Sequence, residues 1–134
     1  MIEISTDKNK LQIDLIHQFL TKSYWAKGRT IDEVKKSIEH CLCFGVYLDE
    51  KQIGFARIAT DYTVFAYVMD VFILPEYQGK GCSKQLMKAI NEESLLQSCK
   101  VWMLKTADAH SLYKQFGYNE LAQPEKLMER IIIL

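Results

Sequence analysis

The stretch from Val64 to Leu86 constrains this chain more than any other. An apolar run, Val64–Leu74, stops at Pro75, a short polar loop turns through Gly79 and Gly81, and an amphipathic segment follows. The run is shorter than the roughly 20 residues that cross a bilayer and carries Asp70 inside it, so it reads as a buried strand. Proline has no N–H for a sheet ladder, which ends the strand there. Leu86, Met87, Ile90, Leu95 and Leu96 then recur at helical spacing, which predicts a helix beginning near Gly81. A strand that passes through a glycine turn into a helix presents unpaired N–H groups and the positive end of the helix dipole to whatever sits at the turn. With Lys80 and Lys84 alongside, these features describe either a cradle for a pyrophosphate or an ordinary tight turn. A Walker loop does not fit, because Lys80 is followed by Gly81. A three-glycine dinucleotide fingerprint fails too, because Lys84 occupies its third glycine position.

The flanking sequence supplies the rest of an α+β domain. Ile2–Ser5 alternates as a short strand, and Leu11, Leu15, Ile16, Phe19 and Leu20 predict a helix over about Asn9–Ser23. Thr30 and Glu33 form a capping-box pair that starts a helix over Ile31–His40. Cys43–Leu48 and Ile53–Thr60 flank Asp49–Gln52 as a hairpin. Val101–Lys105 is a further strand, Asp108 is placed to cap a short helix closed by Gly117, and Glu129–Leu134 reads as a last strand. The expected order is βααβββαβαβ, in a single domain spanning residues 1–134.

Composition narrows the function. The chain has 134 residues, enough for a domain that buries roughly two-thirds of its unfolded surface. Its 17 basic and 17 acidic side chains cancel, which argues against a nucleic-acid partner. No run is long enough for a membrane span, and Glu3 and Asp7 stand where a secretory signal would be basic, so a cytoplasmic protein without a membrane partner is expected. Cys41, Cys43, Cys82 and Cys99 show neither C-x-x-C nor zinc-finger spacing and read as buried thiols in a reducing compartment. His17 and His40 have no metal-ligating companions, so no metal is expected.

Gln78-x-x-Gly81-x-Ser83 resembles the Q/R-x-x-G-x-G/A acetyl-CoA signature of the GNAT superfamily of N-acetyltransferases. Val71-Phe72-Ile73-Leu74-Pro75-Glu76-Tyr77 is similar to that family's strand-Pro-Glu-Tyr lead-in. Ala109-x-x-Leu112-Tyr113-x-x-Phe116-Gly117-Tyr118 is similar to its A-x-x-L-Y-x-x-x-G-F/Y segment. Ser23–Ala26 and Asp108–His110 resemble small bacterial members. The resemblance implies the acyl-CoA N-acyltransferase fold, a three-layer α/β/α arrangement with a mixed, twisted sheet and helices on both faces. It also implies direct transfer from acetyl-CoA to a primary amine of a small molecule or peptide, or else a module that binds acyl-CoA without turnover. Contacts to acetyl-CoA are then expected from Val71, Phe72 and Ile73, from Gln78, Gly79, Lys80, Gly81, Cys82, Ser83 and Lys84, and from Thr106 and Tyr113. Ser83 departs from the usual Gly or Ala, and Thr106 stands where many members carry an asparagine.

Transfer to an amine requires removing a proton from the amine, stabilising the tetrahedral oxyanion and protonating the thiolate. Tyr113 sits at the family's general-acid tyrosine; a packed core tyrosine is the alternative. The family's bulge in the strand makes the Phe72 N–H, or a neighbour's, the oxyanion donor. Asp70 is a charge in an apolar strand and needs a partner or a wet cleft. Strand alternation sets it on one face with Val68 and Phe72, as a base, an acceptor-binding group, or a structural partner for Arg57. His110 is placed for proton relay or for a surface or capping role. Cys82, at a helix N-terminus between two lysines, has the setting of a reactive thiol, although that place faces phosphates rather than the thioester. Tyr24 and Trp25, ahead of Lys27-Gly28-Arg29, line the acceptor pocket or pack in the core. The apolar end, Ile131–Leu134, offers a surface for a homodimer.

Overall fold

The computed structural model describes residues 1–132. Five strands, β1 (Glu3–Ser5), β2 (Leu42–Leu48), β3 (Lys51–Thr60), β4 (Phe65–Ile73) and β5 (Val101–Leu104), lie in the sheet in chain order. The first three pairings are antiparallel and β4–β5 is parallel. Helices α1 (Ile13–Lys22) and α2 (Ile31–His40) cover one face of the sheet. Helix α3 (Cys82–Glu92) covers the other, where side chains of α4 (His110–Lys114) and the turn after it also pack. This is the expected mixed sheet between two helical layers.

Each helix buries one stripe. Ile16 and Leu20 of α1 meet Val34 and Ile38 of α2 over Phe55 and Phe72, and Leu86, Met87 and Ile90 of α3 pack on Val46, Ile58, Ala66 and Val68. The Thr30–Glu33 capping box forms as expected, with both reciprocal hydrogen bonds present. The β2–β3 hairpin is tighter than predicted. Asp49 and Glu50 adopt φ of 49° and 70°, the positive pair that a two-residue hairpin turn requires, and Lys51 already belongs to β3. The first helix is shorter, preceded by a 3₁₀ turn at Lys8–Lys10. The third breaks at Glu93, so that Leu96 reaches the core from a separate turn while Leu95 is exposed. The start of α4 differs too: its N-cap is Ala109 and no side chain caps it, Asp108 included, while in the turn ahead the Ala109 N–H donates to the Thr106 hydroxyl at 3.0 Å. Glu129–Ile132 form no strand, Ile131 and Ile132 are exposed, and Ile133 and Leu134 lie outside the described residues. All four cysteines are buried free thiols. Among the described residues, no helix is long and apolar enough to cross a membrane.

Two features of β4 position the site. Opposite Phe55–Arg57 of β3, β4 runs from Met69 to Phe72, which inserts one extra residue and makes a bulge. Asp70 there has a φ of 53°. The bulge shifts the parity of the strand. Val68 faces the α3 side, whereas Phe72 packs among α1 and α2, stacked on Phe19 at 4.0 Å. The expectation that Val68, Asp70 and Phe72 share a face therefore fails, because simple alternation does not survive an inserted residue. Next to the bulge, β4 leaves its other neighbour. Pairing with β5 ends at Val68–Leu104, and beyond that point the two parallel strands part.

Gly54 keeps the bulged strand close to β3. A Cβ at Gly54 would lie 2.9 Å from the Phe72 carbonyl oxygen and 2.6 Å from Ile73 Cδ1. Gly54→Ala is expected to cost about 1–3 kcal/mol, as overpacking does, because backbone has to move. A lowered urea midpoint at unchanged slope checks it.

Candidate functional site

The parting of β4 and β5 opens a cleft of about 930 Å³ at the carboxyl ends of the parallel strands. Open α/β sheets characteristically bind ligands at such ends. One wall is the bulged segment Tyr67–Val71 and the other is Leu104–His110. Tyr113 and Tyr118 lie behind, and Tyr24, Trp25 and Arg29 close the α1–α2 side. The cleft thus brings together Tyr24, Trp25, Asp70, Val71, Thr106 and Tyr113 among the residues singled out in the sequence.

Tyr113 reaches the cleft from α4. Burial first, then Tyr24 and Asp108, raise its pKa above the usual phenol value, so it keeps its proton through the neutral range. Tyr118 stacks edge-on against it with centroids 6.1 Å apart. The Tyr118 hydroxyl is buried without a hydrogen-bond partner among the described residues, and burial pushes its pKa up to about 12. His110 is exposed on the cleft rim.

Asp70 is held differently from a free base. Its side chain is 1% exposed, and its oxygens accept hydrogen bonds from Trp25 Nε1 at 3.0 Å, Arg29 at 2.6 Å and Arg57 Nε at 2.8 Å. The expected pairing of Asp70 with Arg57 is present, and Arg29 and Trp25 share the same carboxylate. Burial works against the Arg57 charge, but Asp70 and Cys41 outweigh it, and the net shift of its pKa is upward. Arg29 escaped the sequence reading as a site residue. The signal was there: a lone buried acid needs a cation, and the chain has only three arginines, two of which meet on it.

The glycine loop lies apart from this cleft's walls. Gly79 and Gly81 take φ of 76° and 83°, and a Cβ on either would meet nothing within 4 Å. Lys80 and Lys84 are exposed, with Lys80 Nζ 5.8 Å from the Tyr77 ring centre. Gln78 turns inward, donating to the Ile73 carbonyl at 2.9 Å, so its amide N–H₂ braces the loop. Phe72 and Ile73 bury their side chains in the two cores, leaving only backbone for a ligand. Cys82 is likewise buried, 6% exposed among the α3 core residues, which sets its thiol away from the loop surface.

A layered α/β/α sheet that splays beside a bulge, with a glycine turn at the head of α3, is the architecture of acyl-CoA N-acyltransferases. A profile described as the acetyltransferase (GNAT) domain matches residues 39–120. The crystal structure of a candidate GNAT-family acetyltransferase from Xanthomonas campestris pv. campestris superimposes with a TM-score of 0.96. It covers 98% of this chain and 94% of that one at 43% identity. A candidate acetyltransferase of Gibberella zeae is 29% identical, across 87% of this chain and 78% of its own length. The thialysine N-epsilon-acetyltransferase of Mus musculus is 30% identical, across 44% of this chain and 37% of its own length. The chain belongs to the GNAT acetyltransferases.

Proposed function

We propose that this acetyltransferase moves the acetyl group of acetyl-CoA directly to a primary amine of a small molecule or peptide, in the cleft between β4 and β5. The observation that carries the reading is the coincidence, in one cleft, of a bulged strand with a proton-bearing phenol, Tyr113, opposite it. The pyrophosphate of acetyl-CoA sits on the Gly79–Ser83 turn, where backbone N–H groups and the α3 dipole favour an anion and Lys80 and Lys84 add charge. Val71 and Thr106 flank the thioester arm, and backbone N–H groups of the bulged segment at Val71 and Phe72 receive the oxyanion.

The amine nitrogen attacks the thioester carbonyl carbon; its C–N bond forms and the C–S bond breaks. The amine gives up its proton to water in the open cleft, and Tyr113 donates its phenolic proton to the departing sulfur, to be reprotonated from solvent. Acetyl-CoA and amine thus become N-acetyl amine and CoA thiol. Asp70 takes no proton in this scheme; it holds Arg29 and Trp25 in place as a positioning residue.

The cradle is tested at Gly81. Its positive φ makes any side chain cost about 1–2 kcal/mol of backbone strain, and the added atoms point into open space where a phosphate would lie. Gly81→Val is expected to remain folded and to bind acetyl-CoA about 10–100-fold more weakly, the loss of a hydrogen bond to a charged group. Calorimetric titration reads this directly, and an unchanged affinity places the pyrophosphate elsewhere.

A further inference from the structure

The acceptor end of the cleft carries a charge that the transfer chemistry does not require. Arg29 and Arg57 both pair with Asp70 through the same oxygen, at 2.6 and 2.8 Å. Two guanidinium groups against one carboxylate leave one positive charge. Arg57, the more buried, already balances Asp70, and it also donates to Cys41 Sγ at 3.3 Å. Arg29 is the surplus cation. Its side chain is 21% exposed and lines the cleft. Of its five N–H donors, one is engaged by a side chain among the described residues, that to Asp70. A partly buried guanidinium with free donors facing a cleft is costly unless an anion completes it.

Neighbouring groups identify that anion and the way it sits. The lysines on the cleft wall are exposed and already paired, Lys105 with Glu129 at 2.7 Å and Lys114 with Glu120 at 2.8 Å, and His110 stands on the rim. Asp108 and Glu120 also line the cleft, so what matches a monoanion is not a net charge but the one guanidinium on the wall, Arg29, with donors unengaged among the described residues. The first turn of α2 adds no second anion-binding group beside Arg29, because its leading N–H groups are already served by the Thr30–Glu33 capping box and it carries Asp32 and Glu33. The planar fork of arginine suits a carboxylate. Trp25, held by its own hydrogen bond to Asp70, and Tyr24, edge-on to it at 5.1 Å, form an aromatic wall beside Arg29. Tyr24 lies close enough to Tyr113 to help raise its pKa. Arg29, the aromatic wall and Tyr113 thus make a continuous path.

We infer that the acceptor is an amino-carboxylate: its carboxylate binds Arg29, its apolar stem lies along Trp25 and Tyr24, and its amine points toward Tyr113. This rests on the acetyltransfer reading above and narrows its substrate class. Arg29 is then a specificity residue, and Asp70 sets its orientation.

The test compares amines that differ only at the far end, in the presence of acetyl-CoA: 6-aminohexanoate against 6-aminohexanamide, β-alanine against β-alaninamide, and L-lysine against cadaverine. Release of CoA thiol is followed over a range of amine concentrations. The carboxylate of a pair is expected to have a kcat/KM about 10–100-fold above its carboxylate-free partner, expressed mainly in KM. In Arg29→Gln, where Arg57 still neutralises Asp70, that ratio should fall toward one while acetyl-CoA affinity by calorimetry stays as in the parent. Equal turnover of both members of each pair, or turnover of the carboxylate-free ones alone, overturns the inference and leaves acetyltransfer standing. Turnover of no carboxylate by a protein that binds acetyl-CoA also counts against it. Failure to bind acetyl-CoA at all removes the underlying reading first, so the two failures are distinguishable.

Discussion

Tyr113→Phe should lower kcat by about 10²–10⁴-fold, the usual contribution of general acid catalysis, with acetyl-CoA affinity unchanged. The substitution removes one oxygen and keeps the ring that packs against Tyr118 and the α3-side core. Packing therefore supplies no reason for the protein to lose stability or cofactor affinity. The sign of the pH dependence follows from the raised pKa. An acid works only while protonated, so activity through Tyr113 is complete at neutral pH. It declines as pH rises past a value above the ordinary phenol figure of about 10. That basic limb should vanish in the phenylalanine variant. Full activity in Tyr113→Phe would reduce the residue to a packing role and hand protonation of the thiolate to water.

The second large effect is on stability. Asp70→Asn preserves shape but leaves Arg57, whose side chain is 9% exposed, without its counter-charge, and strips Arg29 of its only side-chain partner among the described residues. Removing one member of a buried ion pair costs about 3–5 kcal/mol, and urea denaturation should show a loss of that size. Replacing Arg57 as well, in Asp70→Asn/Arg57→Met, should recover much of it, since the uncompensated buried charge has gone. If Asp70→Asn instead kept full stability and lost only turnover, the carboxylate would be acting on the amine and not on the arginines.

How far the sequence revealed this site depends on how local each signal is. The turn at Gly79–Gly81 and the start of α3 were legible because glycine at positive φ and helical spacing are properties of adjacent residues. The place of Tyr113 on the cleft wall was legible because the resemblance carried it along with its own helix. The face of Asp70 was not. Its orientation comes from one extra residue in β4 set against Phe55–Arg57 of β3, and a register between two strands leaves no mark in either alone. Arg29 was hidden for a similar reason: it lies 41 residues from the carboxylate that holds it. It also lies ahead of the matched segment, residues 39–120, and the resemblance reached its loop only through Tyr24 and Trp25. At α4, proximity misled. Asp108 stands nearest the helix start, but the hydroxyl of Thr106, two positions earlier, takes the N–H of Ala109. The expected strand at Glu129 rested on an apolar run alone, and apolar character without a paired neighbour does not make a strand.

The central claim is that acetyl-CoA is consumed by direct transfer to an amine. The most direct measurement follows free CoA thiol and N-acetylated amine together in one reaction, with the amino-carboxylate panel as acceptors and mass spectrometry to identify the product. The account predicts that the two appear in equal amounts, that both require the amine, and that the protein itself carries no acetyl group when acetyl-CoA is supplied alone. Acetyl-CoA that binds and is never consumed, or an acetylated protein formed ahead of the product, would contradict it.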